Sequence, residues 1–311
     1  MVAGEPKTVL ITGASGFAGA AIARHLQKRG WRVRGSVRRD AAAVPSGVEK
    51  VVTGAIDGTT DWSGPLDGVD SVVHCAARVH VLQEREADPL AAFRRANVEA
   101  TRRLAEAARD RGIGHFVFLS SIGAAVAERD PASANAYQRS KLEAEAALRE
   151  AAGGSGMVLV MLRPPLIYGP KAPGNFARLA RLICAGRPLP LASLANRRSQ
   201  LFVGNLAGAV DAALACTASP TQPLALCDGE DLSTAELARR IGRACGRPAR
   251  LLPCPPALLR VAARLLGQGA AAEAMTSSLV VDNAAITGAL GWTPAFSVDQ
   301  GLALTFEGAR P

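Results

Sequence analysis

Short apolar runs alternate with longer helix-compatible stretches through the first half of the chain. The apolar runs are rich in Val, Ile, Leu and Phe, which is typical of buried strands. Five strands are predicted on this pattern: Val9–Ile11, Arg32–Ser36, Ser71–Cys75, His115–Ser120 and Met157–Leu162. The stretches between them, rich in Ala, Leu, Glu and Arg, predict helices at Ala18–Arg29, Leu90–Arg111 and Tyr137–Ala152. The alternation predicts an α/β fold with a doubly wound parallel sheet.

The pattern changes after Arg163, where prolines and glycines interrupt regular structure. We therefore expect two domains, residues 1–165 and a smaller α/β lobe over residues 166–311. Within the second domain, Ser233 and Glu236 have the spacing of a capping box. That spacing predicts a helix that begins there and ends near Gly246.

Composition narrows the class of protein. With 49% hydrophobic residues, the chain can bury a large core. The net charge of +9 comes from Arg and Lys spread along the whole chain, so a nucleic-acid partner is not expected. A positive net charge can attract polyanionic small molecules such as dinucleotides. It is equally consistent with an Arg-rich surface that only contacts solvent.

The sequence carries neither a metal-binding pattern nor a targeting pattern. The six cysteines include no C-x-x-C pair, so we expect neither a disulfide framework nor a metal site. The first residues lack the pattern of a signal peptide, and no apolar run is long enough to span a bilayer. These observations predict a cytoplasmic protein without a membrane partner.

Three glycines, Gly13, Gly16 and Gly19, follow the first strand and lead into the first helix, with Ser15 and Phe17 among them. Glycines in this place permit a tight turn and close approach of the backbone to a pyrophosphate, which the N-terminus of the helix attracts. A plain glycine turn is the alternative. The position directly after a buried strand favours a dinucleotide-binding loop.

The G-x-x-G-x-x-G spacing resembles the short-chain dehydrogenase/reductase superfamily, and in particular its extended branch, the NAD-dependent epimerase/dehydratase family. The resemblance implies a Rossmann domain that binds NAD(P) and a C-terminal substrate lobe. It also implies that Ile56, Ala76, Ala77, Asn97 and Pro164 contribute to the cofactor site, with Asn97 organising its helix or holding a water.

The second strand ends without the carboxylate that usually binds the adenosine ribose hydroxyls of NAD. Arg38 and Arg39 follow the strand instead, and the first acidic residue after them is Asp40. A guanidinium matches the oxygens of a 2′-phosphate in a bidentate fork. We therefore favour NADP(H) over NAD(H) as the cofactor, with surface arginines that contact no cofactor as the alternative.

Tyr137 and Lys141 lie four residues apart, so both project from one face of the predicted helix. A nearby ammonium favours a phenolate, and we expect Lys141 to lower the pKa of Tyr137 toward the range of acid-base catalysis at neutral pH. An exposed helical pair without a catalytic role is the alternative. Because the chain has only two tyrosines, this spacing is less expected to arise by chance.

A partner hydroxyl is expected at the carboxyl end of a preceding strand, where open α/β sheets bind ligands. Ser120 and Ser121 both stand at such an end. By resemblance to the family, Ser121 is the residue that orients the reacting oxygen toward Tyr137. His74 follows another strand and is expected to be structural, because nothing in the sequence pairs it with a nucleophile.

The second lobe resembles that of nucleotide-sugar members of the family. Asn175 and Arg198 lie in segments similar to those that hold a uridine diphosphate, and a guanidinium suits pyrophosphate oxygens. A surface ion pair is the ordinary alternative for Arg198. Arg78 and His80 lie in a segment similar to bacterial enzymes of UDP-N-acetyl-6-deoxyhexoses, which makes them candidates for the sugar pocket.

Ile122 and Gly123 stand where dehydratase relatives carry acidic residues, so 4,6-dehydration is rejected. The favoured function is NADPH-dependent reduction of a UDP-linked 4-keto-6-deoxy-N-acetylhexose, with Tyr137 as proton donor. A UDP-hexose 4-epimerase with retained NAD shares the same residues, and a non-catalytic dinucleotide sensor is a remote alternative. The resemblance also implies a homodimer through the helices Leu90–Arg111 and Tyr137–Ala152.

Overall fold

The structure, a computed structural model, describes residues 6–79, 86–265, 267 and 269–307. The chain groups into two compact units. Unit 1 comprises the chain up to Pro164, Leu206–Leu226 and Ala284–Thr293, and unit 2 comprises Pro165–Asn205, Cys227–Asn283 and the chain from Pro294. Residues 206–226 and 284–293, which the sequence analysis assigned to the second domain, therefore group with the first.

The strands of the described chain are β1 (Thr8–Thr12), β2 (Arg32–Val37), β3 (Glu49–Val52), β4 (Ser71–His74), β5 (His115–Leu119), β6 (Val158–Arg163), β7 (Leu166–Tyr168), β8 (Arg198–Phe202), β9 (Leu224–Ala225) and β10 (Asp231–Leu232). Those of unit 1 form one sheet in the order β3-β2-β1-β4-β5-β6-β9, and every neighbouring pair in it runs parallel. The predicted doubly wound parallel sheet is confirmed.

The helices of the described chain are α1 (Phe17–Lys28), α2 (Pro89–Arg94), α3 (Ala100–Asp110), α4 (Ile122–Arg129), α5 (Ala136–Ala152), α6 (Gly174–Cys184), α7 (Val203–Leu214), α8 (Thr234–Ala244), α9 (Pro256–Leu265), α10 (Gly269–Thr276), α11 (Ala284–Leu290) and α12 (Val298–Thr305). A π-helical turn at Arg95–Glu99 joins α2 to α3. Among the described residues, no helix is both long enough and apolar enough to cross a membrane.

The strand order changes direction between β1 and β4. Thr12 at the end of β1 is paired in register with His74 at the end of β4. Open α/β sheets bind their ligands at such a switch point, outside the carboxyl ends of the strands. β1 is buried along its whole length, so the loop that follows it starts from a rigid base.

Helices α3 and α5 cover one face of this sheet. Leu104 of α3 and Leu148 of α5 belong to the same buried cluster as Leu10, Phe116 and Phe118 of the strands. Each large side chain buried in this way contributes about 1.5–3 kcal/mol to stability. The packing fixes α5, the helix that carries Tyr137 and Lys141, against the carboxyl half of β5.

Pairing between strands explains why residues 206–226 belong to unit 1. Leu224 and Ala225 of β9 extend the sheet by pairing with Leu162 and Arg163 of β6. Helix α11 in turn packs on β9. The chain therefore returns to the first unit twice after leaving it at Pro164, which a single boundary near residue 165 does not describe.

The helix predicted over Leu90–Arg111 is not one regular α-helix, because the π-helical turn interrupts it. Strand β3 and helix α4 were not predicted from the sequence. β3 lies at one edge of the sheet, and two of its residues, Glu49 and Lys50, are exposed and charged. It therefore lacks the apolar signature of the inner strands.

Unit 2 contains a small mixed sheet in which β8 pairs parallel with β7 and antiparallel with β10. The helix predicted from Ser233 is α8, and Ser233 caps it by accepting from the Glu236 amide at 3.0 Å. The Glu236 carboxylate pairs with Arg240 at 3.2 Å. Gly246 follows the helix with φ +73°, a conformation that favours glycine.

Candidate active site

The loop between β1 and α1 is shaped to receive a phosphate group. Gly13 has φ +69°, and a Cβ on Gly19 would lie 2.3 Å from the Gly13 carbonyl oxygen. Gly16 is the N-cap of α1, and no side chain of the described residues caps this end. The first amides of the helix therefore remain available to an anion, with Ser15 and Phe17 beside them. These residues fit the pyrophosphate of a dinucleotide.

A buried hydrogen-bond chain through His74 joins the ends of β1 and β4. Thr12 Oγ1 accepts from the amides of Cys75 and Ala76, both at 3.1 Å. Its own proton therefore goes to His74 Nδ1, 2.7 Å away. His74 Nε2 then carries the ring proton and donates to Thr101 Oγ1 at 3.0 Å. Burial, aided by the charge of Lys141, lowers the pKa of His74 to about 3, consistent with a neutral ring.

These hydrogen bonds hold the backbone of Cys75 and Ala76 against the glycine loop. A Cβ placed on Gly13 would lie 3.1 Å from the Ala76 backbone nitrogen. Ala77 follows and is half-buried. The cofactor residues expected at Ala76 and Ala77 therefore adjoin the loop that fits the pyrophosphate.

The π-helical turn directs the Asn97 amide at two segments of unit 1. Asn97 Oδ1 accepts from the Arg78 amide at 2.7 Å, and Nδ2 donates to the Arg78 carbonyl at 3.1 Å and to Ser140 Oγ at 2.9 Å. Ser140 Oγ donates to the Tyr137 carbonyl at 2.8 Å. Asn97 therefore connects the segment of Arg78 with the first turns of α5, and π turns are frequent at functional sites.

Ser121 and Tyr137 are hydrogen-bonded to each other through their side chains. Ser121 is the N-cap of α4, where its Oγ also accepts from the Gly123 amide at 3.1 Å. Tyr137 lies in the first turn of α5, which a capping box between Asn135 and Gln138 closes. Two capped helix starts therefore bring the two hydroxyl groups together.

Lys141 follows Tyr137 by one helical turn and is only 2% exposed. Its ammonium donates to the Leu119 carbonyl at 2.8 Å and lies 4.6 Å from the centre of the Phe118 ring. Burial lowers the pKa of Lys141 to about 8. The residue therefore keeps most of its charge at neutral pH and loses it in mildly alkaline solution.

The expected effect of Lys141 on Tyr137 is corrected by the structure. Burial raises the pKa of Tyr137 above its ordinary value, and the hydrogen bond with Ser121 opposes that rise without cancelling it. Desolvation of a phenolate outweighs a hydrogen bond to it. In the chain alone, Tyr137 is therefore a protonated phenol at neutral pH, so it carries a proton that a reaction could use.

Ser120 belongs to a buried ion-pair network that the sequence analysis missed. Its hydroxyl donates to Glu145 Oε1 at 2.5 Å. Glu145 is fully buried and pairs with Arg163, whose Nη1 also donates to Glu128 at 2.8 Å. The sequence did contain a signal, because Glu145 follows Lys141 by four residues and so shares the buried face of α5.

The residues on both sides of Ser121 are held by backbone hydrogen bonds to β6 and to the residue that follows it. The Ser120 amide donates to the Leu162 carbonyl at 2.8 Å, and the Ile122 amide donates to the Pro164 carbonyl at 2.9 Å. Pro164, expected near the cofactor, is buried. The two serines differ in their partners, since Ser120 binds Glu145 and Ser121 binds Tyr137.

Phe93 lies between Arg78 and Tyr137, and the sequence analysis assigned it no role. The Arg78 guanidinium lies 5.3 Å from the centre of the Phe93 ring. The rings of Phe93 and Tyr137 meet edge to face, with centroids 6.2 Å apart. Phe93 therefore orients both side chains at once. His80, the other residue expected at the sugar pocket, lies outside the described residues.

Arg38 and Arg39 follow β2 and are both exposed. Asp40, the first carboxylate after them, forms an ion pair with Lys50 at 2.8 Å. Ile56, another expected cofactor residue, is half-buried and packs against the core cluster. The end of β2 therefore presents two guanidinium groups and a carboxylate that is already paired.

The two diphosphate candidates lie in unit 2. Asn175 is exposed in the first turn of α6. Arg198 begins β8 and is half-buried, and its Nη1 donates to the Ser277 carbonyl at 2.9 Å and to Ser277 Oγ at 3.0 Å. Burial lowers the pKa of Arg198. The surface ion pair belongs to its neighbour Arg197, which pairs with Asp231 at 3.0 Å.

The doubly wound sheet, the glycine loop at its switch point and the Ser121–Tyr137 pair beside Lys141 define a dinucleotide-dependent oxidoreductase of the short-chain dehydrogenase type. The sequence profile of the NAD dependent epimerase/dehydratase family matches residues 9–223. The chain belongs to this family, which is NAD-dependent.

Individual relatives resemble the chain over nearly its whole length. It is 36% identical to a UDP-glucose 4-epimerase of Vibrio cholerae, over 97% of this chain and 95% of the relative. A UDP-N-acetylglucosamine 4-epimerase from Bacillus cereus has a similar fold, with a TM-score of 0.78, 20% identity and coverage of 98% and 100%. The UDP-glucuronic acid 4-epimerase from Bacillus cereus in complex with NAD gives a TM-score of 0.74, 18% identity and coverage of 96% and 97%.

Proposed function

We propose that this chain uses NADPH to reduce the 4-keto group of a UDP-linked 6-deoxy-N-acetylhexose. The observation that carries the proposal is the hydrogen-bonded pair Ser121–Tyr137 beside the buried ammonium of Lys141, in the same unit as the glycine loop. Such a group of side chains can bind a carbonyl oxygen and give it a proton.

Tyr137 is the proton donor in this proposal. Its pKa is raised by burial, so the phenol is protonated at neutral pH and gives its proton to the sugar O4 while Ser121 orients that oxygen. The nicotinamide, when bound, supplies the hydride that the carbonyl carbon receives. Lys141 has three donor hydrogens and uses one on Leu119, which leaves two for the cofactor ribose.

Arg38 and Arg39 are the proposed partners of the 2′-phosphate of NADP. They are exposed at the carboxyl end of β2, and the nearby Asp40 is already paired with Lys50. The helix start at Gly16 receives the pyrophosphate. The further cofactor contacts proposed are Gly13, Ser15, Phe17, Gly19, Ile56, Ala76, Ala77, Asn97 and Pro164.

Arg198, Asn175 and Arg78 are the proposed substrate residues besides Ser121 and Tyr137. Arg198 keeps donors beyond the Nη1 group that Ser277 engages, and a guanidinium binds pyrophosphate oxygens without losing its charge. The Arg78 backbone is clamped by Asn97. Its guanidinium over Phe93 is therefore held near the phenol that reacts.

A UDP-hexose 4-epimerase is the second candidate, and the Vibrio cholerae relative named UDP-glucose 4-epimerase favours it. This reaction oxidises C4 and reduces it again from the other face, so it uses the same Ser121, Tyr137 and Lys141. It differs from the first candidate in retaining NAD and in giving no net redox change.

Cofactor identity separates the two candidates. Released nucleotides from the freshly purified protein are identified first, and NADPH and NADH affinities are then measured by fluorescence titration. The double variant Arg38→Ala/Arg39→Ala is expected to lose about tenfold or more of its NADPH affinity and little of its NADH affinity. Arg111→Ala, at the exposed end of α3, is the matched control. Tightly held NAD in the purified protein favours the epimerase.

Turnover tests the chemistry directly. The protein is incubated with NADPH and a UDP-4-keto-6-deoxy-N-acetylhexose, and the product is identified by NMR. Tyr137→Phe is expected to bind NADPH normally and to lose activity about a hundredfold or more. Conversion of UDP-glucose to UDP-galactose without added cofactor would identify an epimerase. Cofactor binding without either reaction would leave the dinucleotide sensor.

A homodimer and a cytoplasmic location belong to the same proposal. The dimer is proposed to form through α5 and the segment from α2 to α3. Light scattering of the purified protein measures its mass in solution. A monomeric mass would contradict the dimer and leave the proposed reaction untouched, because the proposed catalytic residues all belong to one chain.

A further inference from the structure

Helix α9 in unit 2 exposes large apolar side chains, although a surface helix usually packs its apolar side against the core. Leu258 is 61% exposed, Val261 54% and Leu265 83%, and Leu252 just before the helix is 52% exposed. Residues 258, 261 and 265 are spaced by three and four positions, so they share one side of the helix. We call these four residues the α9 face. Exposed apolar side chains grouped in this way are typical of a site of interaction.

The segment around the α9 face is strongly basic. Between Glu236 and Glu273 the chain contains seven arginines and no acidic residue. The arginines of α8 within this segment pair with acidic residues, as Arg240 does with Glu230. The remaining arginines that lie in α9 or shortly before it are exposed and form no ion pair with any described residue: Arg250, Arg260 and Arg264.

We propose that the α9 face docks on an anionic lipid bilayer. Its leucines and valine would enter the boundary between headgroups and acyl chains, and the flanking arginines would reach lipid phosphates with their stems along the apolar surface. Docking of this kind needs no spanning segment, so the lack of one does not exclude it. The proposal therefore departs from the expectation, drawn from the sequence, that the protein has no membrane partner. The proposal does not depend on which reaction the chain catalyses.

A second copy of this chain is a poorer occupant of the α9 face. In a symmetric dimer the same patch meets itself, so Arg250, Arg260 and Arg264 would face the same three cations of the other copy. Like charges brought together across an interface oppose association. An anionic membrane instead pairs the same cations with phosphates.

The test measures binding of the purified full chain to lipid vesicles by cosedimentation. The vesicles contain phosphatidylcholine alone or phosphatidylcholine mixed with phosphatidylglycerol. The protein is expected to sediment with the anionic vesicles, to bind the neutral ones at least about tenfold more weakly, and to be released by high salt. This pattern supports the proposal.

One double variant and one single variant distinguish binding through the α9 face from nonspecific binding. Leu258→Ser/Leu265→Ser is expected to weaken binding to anionic vesicles about tenfold or more. Leu304→Ser, on α12 of the same unit and 37% exposed, is the matched control and should bind like the original chain. Thermal unfolding of all three proteins verifies that the substitutions leave the fold intact.

Two results would overturn the proposal. The first is a lack of the expected vesicle binding. Binding is then absent, equally strong to neutral and anionic vesicles, or unchanged in Leu258→Ser/Leu265→Ser. The other is a concentration-dependent dimer that Leu258→Ser/Leu265→Ser abolishes while no vesicle binding is seen, which would assign the α9 face to a second copy. Neither result bears on the reductase proposal, because that proposal is tested with soluble cofactor and substrate.

Discussion

Arg163 donates to both carboxylate oxygens of Glu145, at 2.9 and 2.6 Å, while both side chains are almost completely withdrawn from water. The same carboxylate accepts from Ser120, the residue before Ser121. Bidentate pairs of this kind specify geometry more than they add stability. The ion pair therefore holds the strand ends that position the Ser121 hydroxyl.

Replacing Arg163 by Met is expected to destabilise the protein strongly, because Glu145 would be left buried without its cation. The expected loss is about 3–5 kcal/mol in the free energy of unfolding, measured by urea denaturation. If the protein still folds, its kcat should fall more than its KM changes, since the proposed role of Ser121 is in the reaction step.

The matched control is the exposed pair Arg102–Glu150, whose side chains are 41% and 71% exposed and 3.0 Å apart. Arg102→Met should change the free energy of unfolding by less than about 1 kcal/mol. Equal effects of the two Arg→Met substitutions would mean that the buried pair has no special part in stability.

Stability should depend on pH through His74. The folded chain keeps this ring neutral down to a pKa of about 3, whereas the unfolded chain takes up a proton near the ordinary value of 6.5. Between these values the unfolded state binds more protons, so His74 makes stability fall as the pH falls, by up to about 1.4 kcal/mol per pH unit.

His74→Gln removes this contribution. The difference in unfolding free energy between the original chain and the variant should therefore shrink as the pH is lowered from about 6.5 toward 4, measured by urea denaturation at each pH. A difference that stays constant across that range would show that His74 is not held neutral in the folded chain.

Cofactor binding should weaken above about pH 8. Burial lowers the pKa of Lys141 to about 8, so its ammonium begins to lose charge there. The dissociation constant for NADPH, measured by fluorescence between about pH 7 and 9, should rise with pH on the alkaline side. Lys141→Met should bind weakly and show a flat profile, and a sloping profile in that variant would assign the titration to another group.

Gly19→Ala should damage the cofactor site through a backbone clash. The added Cβ would lie 2.3 Å from the Gly13 carbonyl oxygen, so the glycine loop or α1 must move. We expect NADPH affinity to fall about tenfold or more. Gly64→Ala is the control, since its Cβ meets no atom within 4 Å, and similar affinities of the two variants would contradict the prediction.

The sequence predicted the inner strands of the sheet because these runs are buried on both faces and therefore uniformly apolar. It did not predict β3, whose exposed Glu49 and Lys50 read as a loop. The division into units also differed, because the pairing of β9 with β6 joins residues more than sixty positions apart. Local patterns do not encode such distant partners.

The candidate site was predictable where its residues are close along the chain. The spacing of Tyr137 and Lys141 sets both on one helix face, and the order of strand, loop and helix predicts where the glycines lie. Phe93 and Arg163 were missed, because their roles depend on packing against Tyr137 and Glu145 from other elements. The pKa of Tyr137 was predicted in the wrong direction, since burial is a property of the folded chain.

The π-helical turn at residues 95–99 makes the number of residues there as important as their identity. Such a turn holds one residue more than an α-helical turn. Loss of any one residue would restore a regular helix and rotate one side of it by about 100° relative to the other, so Asn97 would lose Arg78 or Thr101 would lose His74. A deletion that makes the helix more regular would therefore break one of the two contacts, Asn97 with Arg78 or Thr101 with His74.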